Sequence, residues 1–469
     1  MSFYDNNPIC AIATGGIKSA IAIIRISGEN FLEKLEKHIK LRNQKISLKN
    51  LETNKLYRAE IYDINNEIID DVLVVYFRKP KSYTGEDLVE IHCHGSLYIQ
   101  KKILELLYSL GIREALPGEF TLRAFLNKKI DLSQAEALND LIQAECSKVH
   151  NILYKHYRGE VFNYIKQLRQ NLLNLLMYLE LELDFSEEDV EFASREKLKD
   201  LLYTLKNYIN NLKTTYEYGN ALKKGILVSI IGPPNVGKST LLNTLVKEEK
   251  AIVSNIPGTT RDVIEDYFTY KGILFRFADT AGIRKPNNII EEQGIKLAIN
   301  KAKQSIIILY LIDVSSDIKN QLQLLEENSK LFSPSQNVII VLNKIDKSVL
   351  NFNFFLDELK NKYSNYKIVS ISAKFNKNIN ELLETMYNII VSLNISGSEY
   401  IIVNERHFNI LKKSEEFINN AIHLIENNQP NDLLAEEIRM LNYALSEITG
   451  EITSEEILKE IFSNFCIGK

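Results

Sequence analysis

The fold of this protein is decided by residues 226–239, which read ILVSIIGPPNVGKS. The first six residues are an apolar run with the length of a buried strand, and a helix-like segment follows the glycine-rich turn. Residues 232–239 match the GxxxxGK[ST] phosphate-loop pattern, in the strand–turn–helix context that the pattern requires. Glycines let backbone N–H groups close around phosphates, and the following helix presents its positive end to them. The stretch therefore predicts a binding site for the phosphates of a nucleotide.

Residues further along the chain complete the phosphate side of this site. Lys238 is predicted to contact the β- and γ-phosphates, and Ser239 to bind Mg²⁺. Thr260 is predicted to close over the same ion when a triphosphate is bound. The run Asp279–Gly282 (DTAG) follows a strand 41 residues after Lys238, where its carboxylate can hold magnesium through water and its last amide can sense the γ-phosphate. The predicted phosphate-side residues are Asn235, Val236, Gly237, Lys238, Ser239, Thr240, Thr259, Thr260, Asp279, Thr280, Ala281 and Gly282.

Two later motifs predict which base is bound. Asn343–Asp346 (NKID) ends a strand, and Asp346 can accept both hydrogen bonds that guanine donates from N1 and its 2-amino group. Adenine lacks this pair of donors, and an unmatched buried carboxylate would penalise ATP. Ser372–Lys374 (SAK) ends the next strand and would touch the base from the other side. The predicted base-side residues are Asn343, Lys344, Asp346, Ser372, Ala373 and Lys374. Because the motifs occur in order at strand ends, the sequence predicts a GTP-hydrolysing switch protein.

The hydrolytic machinery departs from the common pattern. Many GTPases place a glutamine directly after the glycine of the DxxG motif to orient water, but Ile283 stands here. Glu291 and Glu292 are polar candidates for that task, although acidic residues also stabilise the start of a helix, which is the reading that the residues alone favour. Asn235 could bind a monovalent cation that neutralises developing charge, or could only brace the loop.

The distribution of proline separates the chain into domains. No proline lies between Pro117 and Pro233 or between Pro334 and Pro430. In residues 121–220, and again from about residue 392, apolar residues recur mostly every three or four positions, which predicts helices. Between these blocks, short apolar runs alternate with helix-like segments, which is typical of a parallel, doubly wound α/β sheet. The predicted domains are 1–120 (α+β), 121–220 (helical, first part), 221–391 (an inserted, Ras-like P-loop GTPase domain of the α/β class) and 392–469 (helical, second part).

Composition excludes several classes of protein. The 469 residues carry a formal net charge of −4, so no global basic field indicates nucleic-acid binding. The four cysteines are scattered at Cys10, Cys93, Cys146 and Cys466, which predicts neither a disulfide framework nor a zinc site. The amino terminus does not read as a signal peptide, and the apolar run Ile306–Ile312 is far shorter than the roughly 20 residues that cross a bilayer. We therefore expect a cytoplasmic protein without a membrane segment.

The nucleotide motifs, together with motifs in both flanks, resemble those of the tRNA-modification GTPase family MnmE, also called TrmE. The resemblance covers the whole chain. The flanking motifs are Arg25–Gly28, Thr84–Asp87, His94–Gly95, Pro117–Phe120, Arg123–Asn127 and the closing Cys466–Lys469. The last of these (CIGK) is the most specific, because few proteins combine it with an inserted GTPase domain. It also suggests that the extreme carboxyl terminus folds back onto the protein.

The resemblance implies a second ligand site. The family binds a tetrahydrofolate derivative (5-formyl or 5,10-methylene) in its amino-terminal α+β domain, through which it forms a homodimer. By position, the folate-contacting residues are Arg25, Glu90, Lys129 and Lys469. Basic groups suit the carboxylates of the folate glutamate, and an acid suits the donor edge of the pterin. Residues 15–18 depart from the family's usual proline-rich turn.

The resemblance also implies ions and a reaction. By position, the K⁺ ligands are Asn235, Ser254, Ile256 and Thr259, and the Mg²⁺ ligands are Ser239 and Thr260. Glu291 matches the family's catalytic glutamate, which positions the attacking water. K⁺-dependent dimerisation of the GTPase domains is implied to drive hydrolysis. With a flavin-dependent partner that carries FAD, MnmG (GidA), the family adds an aminomethyl-type group, derived from a one-carbon unit, at carbon 5 of the wobble uridine of certain tRNAs.

Other interpretations stand beside this one. A ribosome-assembly GTPase that binds RNA would be expected to carry a basic module, and neither flank shows one. A scaffold GTPase with polymer-forming or membrane-touching helical arms is a further alternative. Cys466 has no evident histidine or acid pair to activate it, so we assign it only a possible role in the closing motif. Strand alternation places His92 and His94 on one face and Cys93 on the other, which argues against a shared metal.

Overall fold

The computed structural model describes residues 7–42, 46–184, 195–248, 266–277, 304–329, 332, 336–347, 352–393 and 400–468. The chain divides into two compact units. Unit 1 consists of Met1–Ile142, Tyr154–Ser194 and Asn428–Lys469, and unit 2 consists of Gln143–Leu153 and Arg195–Asn427. Each unit contains one β-sheet. The domain bounds given above stay a prediction.

The described elements follow one another in this order. The strands are β1 (Ile9–Ile12), β2 (Ile21–Gly28), β3 (Ile39–Leu41), β4 (Leu56–Tyr62), β5 (Ile68–Phe77), β6 (Asp87–His94), β7 (Arg113–Glu114), β8 (Ile226–Ile231), β9 (Tyr267–Tyr270), β10 (Ile273–Phe277), β11 (Ile307–Asp313), β12 (Asn337–Asn343) and β13 (Lys367–Ser370). The helices are α1 (Leu32–Glu36), α2 (Leu97–Ser109), α3 (Glu119–Leu126), α4 (Leu132–Ile142), α5 (Ser147–Tyr157), α6 (Glu160–Asp184), α7 (Arg195–Thr214), α8 (Tyr216–Lys224), α9 (Lys238–Glu248), α10 (Ile318–Ser329), α11 (Phe352–Lys362), α12 (Ile379–Ser392), α13 (Glu405–Glu426), α14 (Asn431–Thr449) and α15 (Glu455–Ser463). The α+β, helical and α/β character expected along the chain is confirmed.

Unit 1 is built on a seven-stranded sheet in the order β3-β4-β5-β6-β2-β1-β7. Neighbouring strands are antiparallel except β1 and β7, which are parallel. One face packs on α2, and alternation along β2 sends every second side chain into this core. The core residues from these two elements include Ala22, Ile24, Ile26, Ile103 and Leu107. The opposite face of β2 carries Arg25, and pairing with β6 sets Arg25 beside Glu90.

The carboxyl-terminal segment packs against α3, α4 and β1 of unit 1. Phe462 and Phe465 join a cluster with α3 and α4. Gly118 has a φ of 68°, and a Cβ there would lie 2.7 Å from the Phe462 carbonyl oxygen, so a side chain is excluded. A Cβ on Gly468 would lie even closer, 2.4 Å, to the Ile12 carbonyl oxygen. The expectation that the chain end folds back is confirmed as far as residue 468.

Unit 2 contains a six-stranded sheet in the order β13-β12-β11-β8-β10-β9. The pairs β8–β10, β8–β11, β11–β12 and β12–β13 are parallel, as expected for the α/β domain. The sheet is not wholly parallel, however, because β9 pairs antiparallel with β10 and was not predicted. Its Tyr267–Tyr270 run is short and contains one fully buried residue, Phe268, which stacks on Phe275 and Phe277. So short a half-buried run gives little periodic signal.

Long helices extend unit 2 beyond its sheet. α7 buries a stripe of residues spaced three or four apart, as expected for an amphipathic helix packed on a partner. That partner is α13. The stripe consists of Leu198, Leu202, Leu205, Ile209 and Leu212. In unit 1, α6 packs on α14 in the same way. None of the helices among the described residues is long and apolar enough to cross a membrane.

Candidate nucleotide site and a second cavity

The phosphate loop, residues 232–239, connects β8 to α9. Three of its residues have a positive φ, namely Gly232 (154°), Asn235 (61°) and Gly237 (102°). A Cβ on Gly237 would collide with the Asn343 side-chain nitrogen, so only glycine fits. Val236 is buried, and its neighbours in the loop are partly or fully exposed. The backbone is therefore shaped as a turn whose close approach to another motif depends on the predicted glycine.

Lys238 begins α9 and folds back over the loop. Its Nζ donates to the carbonyl oxygens of Gly232 (2.8 Å) and Pro233 (2.7 Å). Burial lowers the pKa of Lys238, and these two carbonyls compensate for the lost water. A phosphate oxygen is a stronger acceptor than a neutral carbonyl, so the same ammonium group is available to an anion. Ser239 and Thr240 follow in the first helical turn, and both are exposed.

Asn343 connects three of the predicted motifs. Its Nδ2 donates to the Val236 carbonyl (2.8 Å). Its Oδ1 accepts from the backbone N–H of Lys344 (2.9 Å) and of Ala373 (3.1 Å). Asn343 is 3% exposed, so loss of the amide would leave buried backbone groups unpaired. The structure thus brings the phosphate loop, the NKID run and the SAK run together.

Lys344 has a partner that the sequence analysis missed. Its Nζ donates both to the Asn235 carbonyl (2.8 Å) and to Oδ2 of Asp313 (2.5 Å). Burial alone would raise the pKa of Asp313, but hydrogen bonds from Lys344 and Ser315 outweigh it and hold that pKa below its usual range. Asp313 ends β11, so the available signal was a polar residue at the carboxyl end of a buried strand.

The base side of the site is formed by the 3-10 turn Ile345–Lys347 and the segment after β13. The Ser372 hydroxyl donates to Oδ1 of Asp346 (2.5 Å), and the Asp346 side chain is exposed. Thr244 of α9 donates to the Ala373 carbonyl (3.0 Å). Lys374 is exposed and lies over the Phe375 ring at 5.4 Å. The carboxylate of Asp346 is therefore accessible to two donors of a base.

Several predicted site residues lie outside the described residues. They are Ser254, Ile256, Thr259, Thr260, Asp279, Thr280, Ala281, Gly282, Glu291 and Lys469. Among the predicted ion ligands, only Asn235 and Ser239 are described. Both lie on the phosphate loop or directly after it, and both carry the oxygen that K⁺ and Mg²⁺ prefer. The assignments of individual site residues stay predictions.

Unit 1 contains a cavity of about 360 Å³ on the outer face of its sheet. Its lining residues are Arg25, Phe77, Tyr83, Leu88, Glu90 and Leu138. We call it the Arg25–Glu90 cavity. Arg25 donates from Nε (2.9 Å) and Nη2 (2.8 Å) to the same oxygen, Oε1, of Glu90. His92 Nε2 lies 3.6 Å from Oε2, beyond hydrogen-bond distance, so Oε2 offers lone pairs to a ligand.

Aromatic rings hold the Arg25 guanidinium in place. It lies 5.4 Å from the ring centroid of Tyr83 and 5.7 Å from that of Phe120. The Tyr83 hydroxyl shares a hydrogen bond with Thr121 (2.8 Å), which fixes the ring. Apolar walls with one fixed ion pair are typical of small-molecule sites. Arg25 and Glu90, predicted as folate contacts from the resemblance, therefore meet at one cavity.

The other two predicted folate contacts are placed differently. Lys129 is exposed, and its Nζ donates to the Pro80 carbonyl (2.8 Å). It contacts the segment that carries Tyr83 and is not itself a lining residue of the cavity. Lys469 lies outside the described residues, although Gly468 before it packs on β1.

Motifs quoted for the resemblance form a buried ion network beside the cavity. Arg123 is fully buried and donates to Glu86 (3.0 Å) and Glu119 (2.9 Å). Arg113 donates to the same Glu119 (2.6 Å). Burial alone would raise the pKa of Glu119, but Arg113, the Leu116 backbone N–H and Arg123 together hold it below its usual range. These motifs therefore have a structural role that the sequence analysis did not assign.

The histidine and cysteine residues discussed above fall on the faces that alternation predicted. Cys93 lies in the core, and burial raises its pKa to about 11. His94 is exposed and pairs with Asp70 at 2.8 Å. Cys466 is exposed, and its carbonyl accepts from the Gly118 N–H (3.5 Å). The possible role of Cys466 in the closing motif stays a prediction.

Comparison with known proteins matches nearly the whole chain. A family model described as the GTP-binding protein TrmE N-terminus matches residues 8–129, and one described as the MnmE helical domain matches residues 132–466. The tRNA modification GTPase MnmE of Christiangramia forsetii is 43% identical over 99% of each chain. The protein of the same name from Cytophaga hutchinsonii is 41% identical over 98% of this chain and 97% of its own. That from Flavobacterium psychrophilum is 42% identical over all of both chains.

Solved structures match about a third of the chain. Era, in complex with MgGDPNP and nucleotides 1506–1542 of 16S ribosomal RNA, is 32% identical over 35% of this chain and 56% of its own, with a TM-score of 0.27. The G domain of the T. maritima FeoB iron transporter is 25% identical over 36% of this chain and 98% of its own, with a TM-score of 0.26.

Proposed function

The chain belongs to the MnmE family of tRNA modification GTPases, and from that premise we propose which reaction its two sites serve. GTP hydrolysis, with Mg²⁺ and K⁺ bound, drives the addition of an aminomethyl-type group at carbon 5 of the wobble uridine of certain tRNAs. A tetrahydrofolate derivative supplies the one-carbon unit. The partner is MnmG (GidA), which carries FAD. The protein acts as a homodimer in the cytoplasm.

The Arg25–Glu90 cavity is the observation that carries the folate part of the proposal. Tetrahydrofolate combines a pterin, whose ring donates hydrogen bonds from one edge, with a glutamate that carries carboxylates. Oε2 of Glu90 can accept from the pterin edge, and Phe77 and Tyr83 supply apolar and aromatic walls for a flat ring. Lys129, exposed on the neighbouring segment, and Lys469 suit the carboxylates.

The phosphate loop carries the ion part of the proposal. The Asn235 side chain supplies one oxygen to K⁺, and Ser254, Ile256 and Thr259 supply the others. Ser239 and Thr260 hold Mg²⁺. A bound K⁺ contributes fixed positive charge where the transition state for phosphoryl transfer gathers negative charge. Glu291 positions the attacking water, because Ile283 cannot do so.

The net charge of the chain bears on which of the two proteins contacts the tRNA. The chain has a formal net charge of −4, so MnmG supplies much of the tRNA contact. Movement of the helical region, coupled to dimerisation of the GTPase domains, links hydrolysis to the modification step.

Titration of the wild-type protein with 5-formyltetrahydrofolate tests the folate part. Arg25→Ala removes the guanidinium that orders Glu90, so binding should weaken at least about tenfold, since a charged hydrogen bond contributes about 1.5–3 kcal/mol. Arg42→Ala is the matched control, because Arg42, the residue directly after β3, makes a comparable but more exposed ion pair with Glu60 of β4. Equal affinity of Arg25→Ala and wild type would refute the assignment of the cavity.

The ion part is tested by exchanging the monovalent cation. Hydrolysis of GTP and the sedimentation coefficient are measured in KCl and in NaCl at equal ionic strength. We expect faster hydrolysis and a GTP-dependent dimer of GTPase domains in KCl, and loss of both differences in Asn235→Ala. Identical behaviour of the wild type in both salts would remove K⁺ from the proposal and leave the folate part intact.

A further inference from the structure

We propose that Asp313, the last residue of β11, is a positioning residue of the nucleotide site. It fixes the ammonium group of Lys344, and through Lys344 it fixes the Asn235 carbonyl of the phosphate loop. The inference rests on the proposed role of Lys344 in nucleotide binding. It adds a residue that lies outside the phosphate-loop, DxxG, NKID and SAK motifs.

Strand register places Asp313 beside the NKID run. β11 and β12 are parallel neighbours, and Asp313 pairs in register with Asn343. Lys344, which follows Asn343 in the chain, has a φ of 65°. Its Nζ bridges Oδ2 of Asp313 (2.5 Å) and the Asn235 carbonyl oxygen (2.8 Å). The Lys344 ammonium group therefore connects the carboxyl end of β11 to the phosphate loop.

The Asp313 carboxylate is itself held firmly. Oδ1 accepts from the Ser315 backbone N–H (2.9 Å) and from the Ser315 hydroxyl (2.7 Å). The Asp313 backbone is clamped by the buried Gln321, which accepts from its N–H (2.9 Å) and donates to its carbonyl (3.1 Å). The side chain of Asp313 is only 12% exposed. An acceptor this restrained presents one fixed position to Lys344.

A fixed acceptor matters because a lysine stem is flexible. With only the neutral Asn235 carbonyl as a partner, Lys344 would sample other rotamers, and nucleotide binding would have to order it again. The loop has a second tether at the next carbonyl, where Asn343 donates to Val236 (2.8 Å). That second bond does not involve Asp313, so loss of Asp313 should weaken nucleotide binding without abolishing it.

The test compares Asp313→Asn with wild type by titration of fluorescent GDP and by steady-state GTP hydrolysis. Asparagine keeps the shape and removes the charge. We expect the Kd for GDP to rise about tenfold, the size of one charge-assisted hydrogen bond, with kcat at saturating GTP changed less than about threefold. Asp317→Asn is the matched control, because Asp317 is exposed four residues away and should leave Kd unchanged.

A double-mutant cycle separates positioning from general damage. If Asp313 acts through Lys344, then Asp313→Asn added to Lys344→Met should change Kd by less than about twofold. Equal factors in both backgrounds, or an unchanged Kd in Asp313→Asn alone, would overturn the inference. An unchanged Kd in Lys344→Met would instead refute the proposed nucleotide role of Lys344. Thermal unfolding of each variant identifies any loss of affinity that comes from a failure to fold.

Discussion

The nucleotide site of unit 2 and the Arg25–Glu90 cavity of unit 1 hold their charged groups in opposite ways. In the nucleotide site, Lys238 donates to backbone carbonyls of the phosphate loop. In the cavity, Arg25 of β2 donates two hydrogen bonds to the Glu90 carboxylate of the neighbouring strand β6. The first arrangement leaves the ammonium group with neutral acceptors only, which are weaker than a phosphate oxygen. The second is neutral as a pair, which suits a ligand with both donor and acceptor edges.

The two sites also differ in how much they depend on residues that lie outside them. The phosphate loop is one continuous run whose backbone forms the site. The cavity is assembled from residues more than 100 positions apart, and it depends on buried charges nearby to hold α3 against the sheet. Damage to the ion network around Arg123 should therefore affect unit 1 alone, whereas damage to the loop should affect catalysis without affecting the cavity.

The largest effect is expected from Arg123→Met. It removes the fully buried guanidinium and leaves Glu86 and Glu119 short of a partner, which costs about 3–5 kcal/mol in the free energy of unfolding. Denaturant unfolding monitors the loss. Arg42→Met, in an exposed pair with Glu60, should cost less than about 1 kcal/mol. Equal losses of unfolding free energy in Arg123→Met and Arg42→Met would contradict the difference expected between a buried and an exposed ion pair.

Lys238→Ala should have the next largest effect, on catalysis. Loss of the charge at the phosphates is expected to slow GTP hydrolysis by about 100- to 1,000-fold, as for other groups that stabilise transition-state charge. Binding of 5-formyltetrahydrofolate should stay at the wild-type level. Lys247→Ala, in the last turn of the same helix, is the control. Hydrolysis as slow in Lys247→Ala as in Lys238→Ala would show that helix damage, not phosphate contact, is responsible.

Acid should destabilise unit 1 through Glu119. The folded-state pKa of Glu119 is lowered, so its stabilisation is present above the unfolded pKa of about 4.3 and is lost as pH falls through the folded value. Glu119→Gln should be less stable at pH 7 and should show a flatter loss of stability below that pH. Unfolding free energies measured from pH 7 to pH 3 check this. Parallel pH profiles for variant and wild type would contradict it.

The smallest effect is expected away from both sites, at the turn between β9 and β10. Gly272 has a φ of 76°, and a Cβ there would collide with the Ser147 hydroxyl oxygen. Gly272→Ala should cost about 1 kcal/mol from the backbone conformation together with this contact. Adding Ser147→Ala should recover the part due to the contact, as measured by thermal unfolding. No recovery would assign the whole effect to the backbone.

Particular residues show what the sequence could predict. The phosphate-loop, NKID and SAK runs were predicted because each is contiguous and ends a strand, so spacing alone brings them to one sheet edge. Asp313 was missed because its role depends on β11 lying beside β12. The order of strands in a sheet cannot be read from the spacing of motifs along the sequence. Arg25 and Glu90 lie 65 residues apart in the sequence, and only the family resemblance joined them. A fully buried Arg123 also contradicts the ordinary expectation that charges lie at the surface.

One measurement tests most directly whether the two sites serve one reaction. tRNA nucleosides are profiled by mass spectrometry in a bacterial strain that lacks its own MnmE and carries wild type, Arg25→Ala or Lys238→Ala, with each protein shown to be soluble. We expect wild type to restore carbon-5-modified wobble uridines and both variants to fail. Full restoration by either variant, or none by the soluble wild type alongside its own MnmG, would contradict the account.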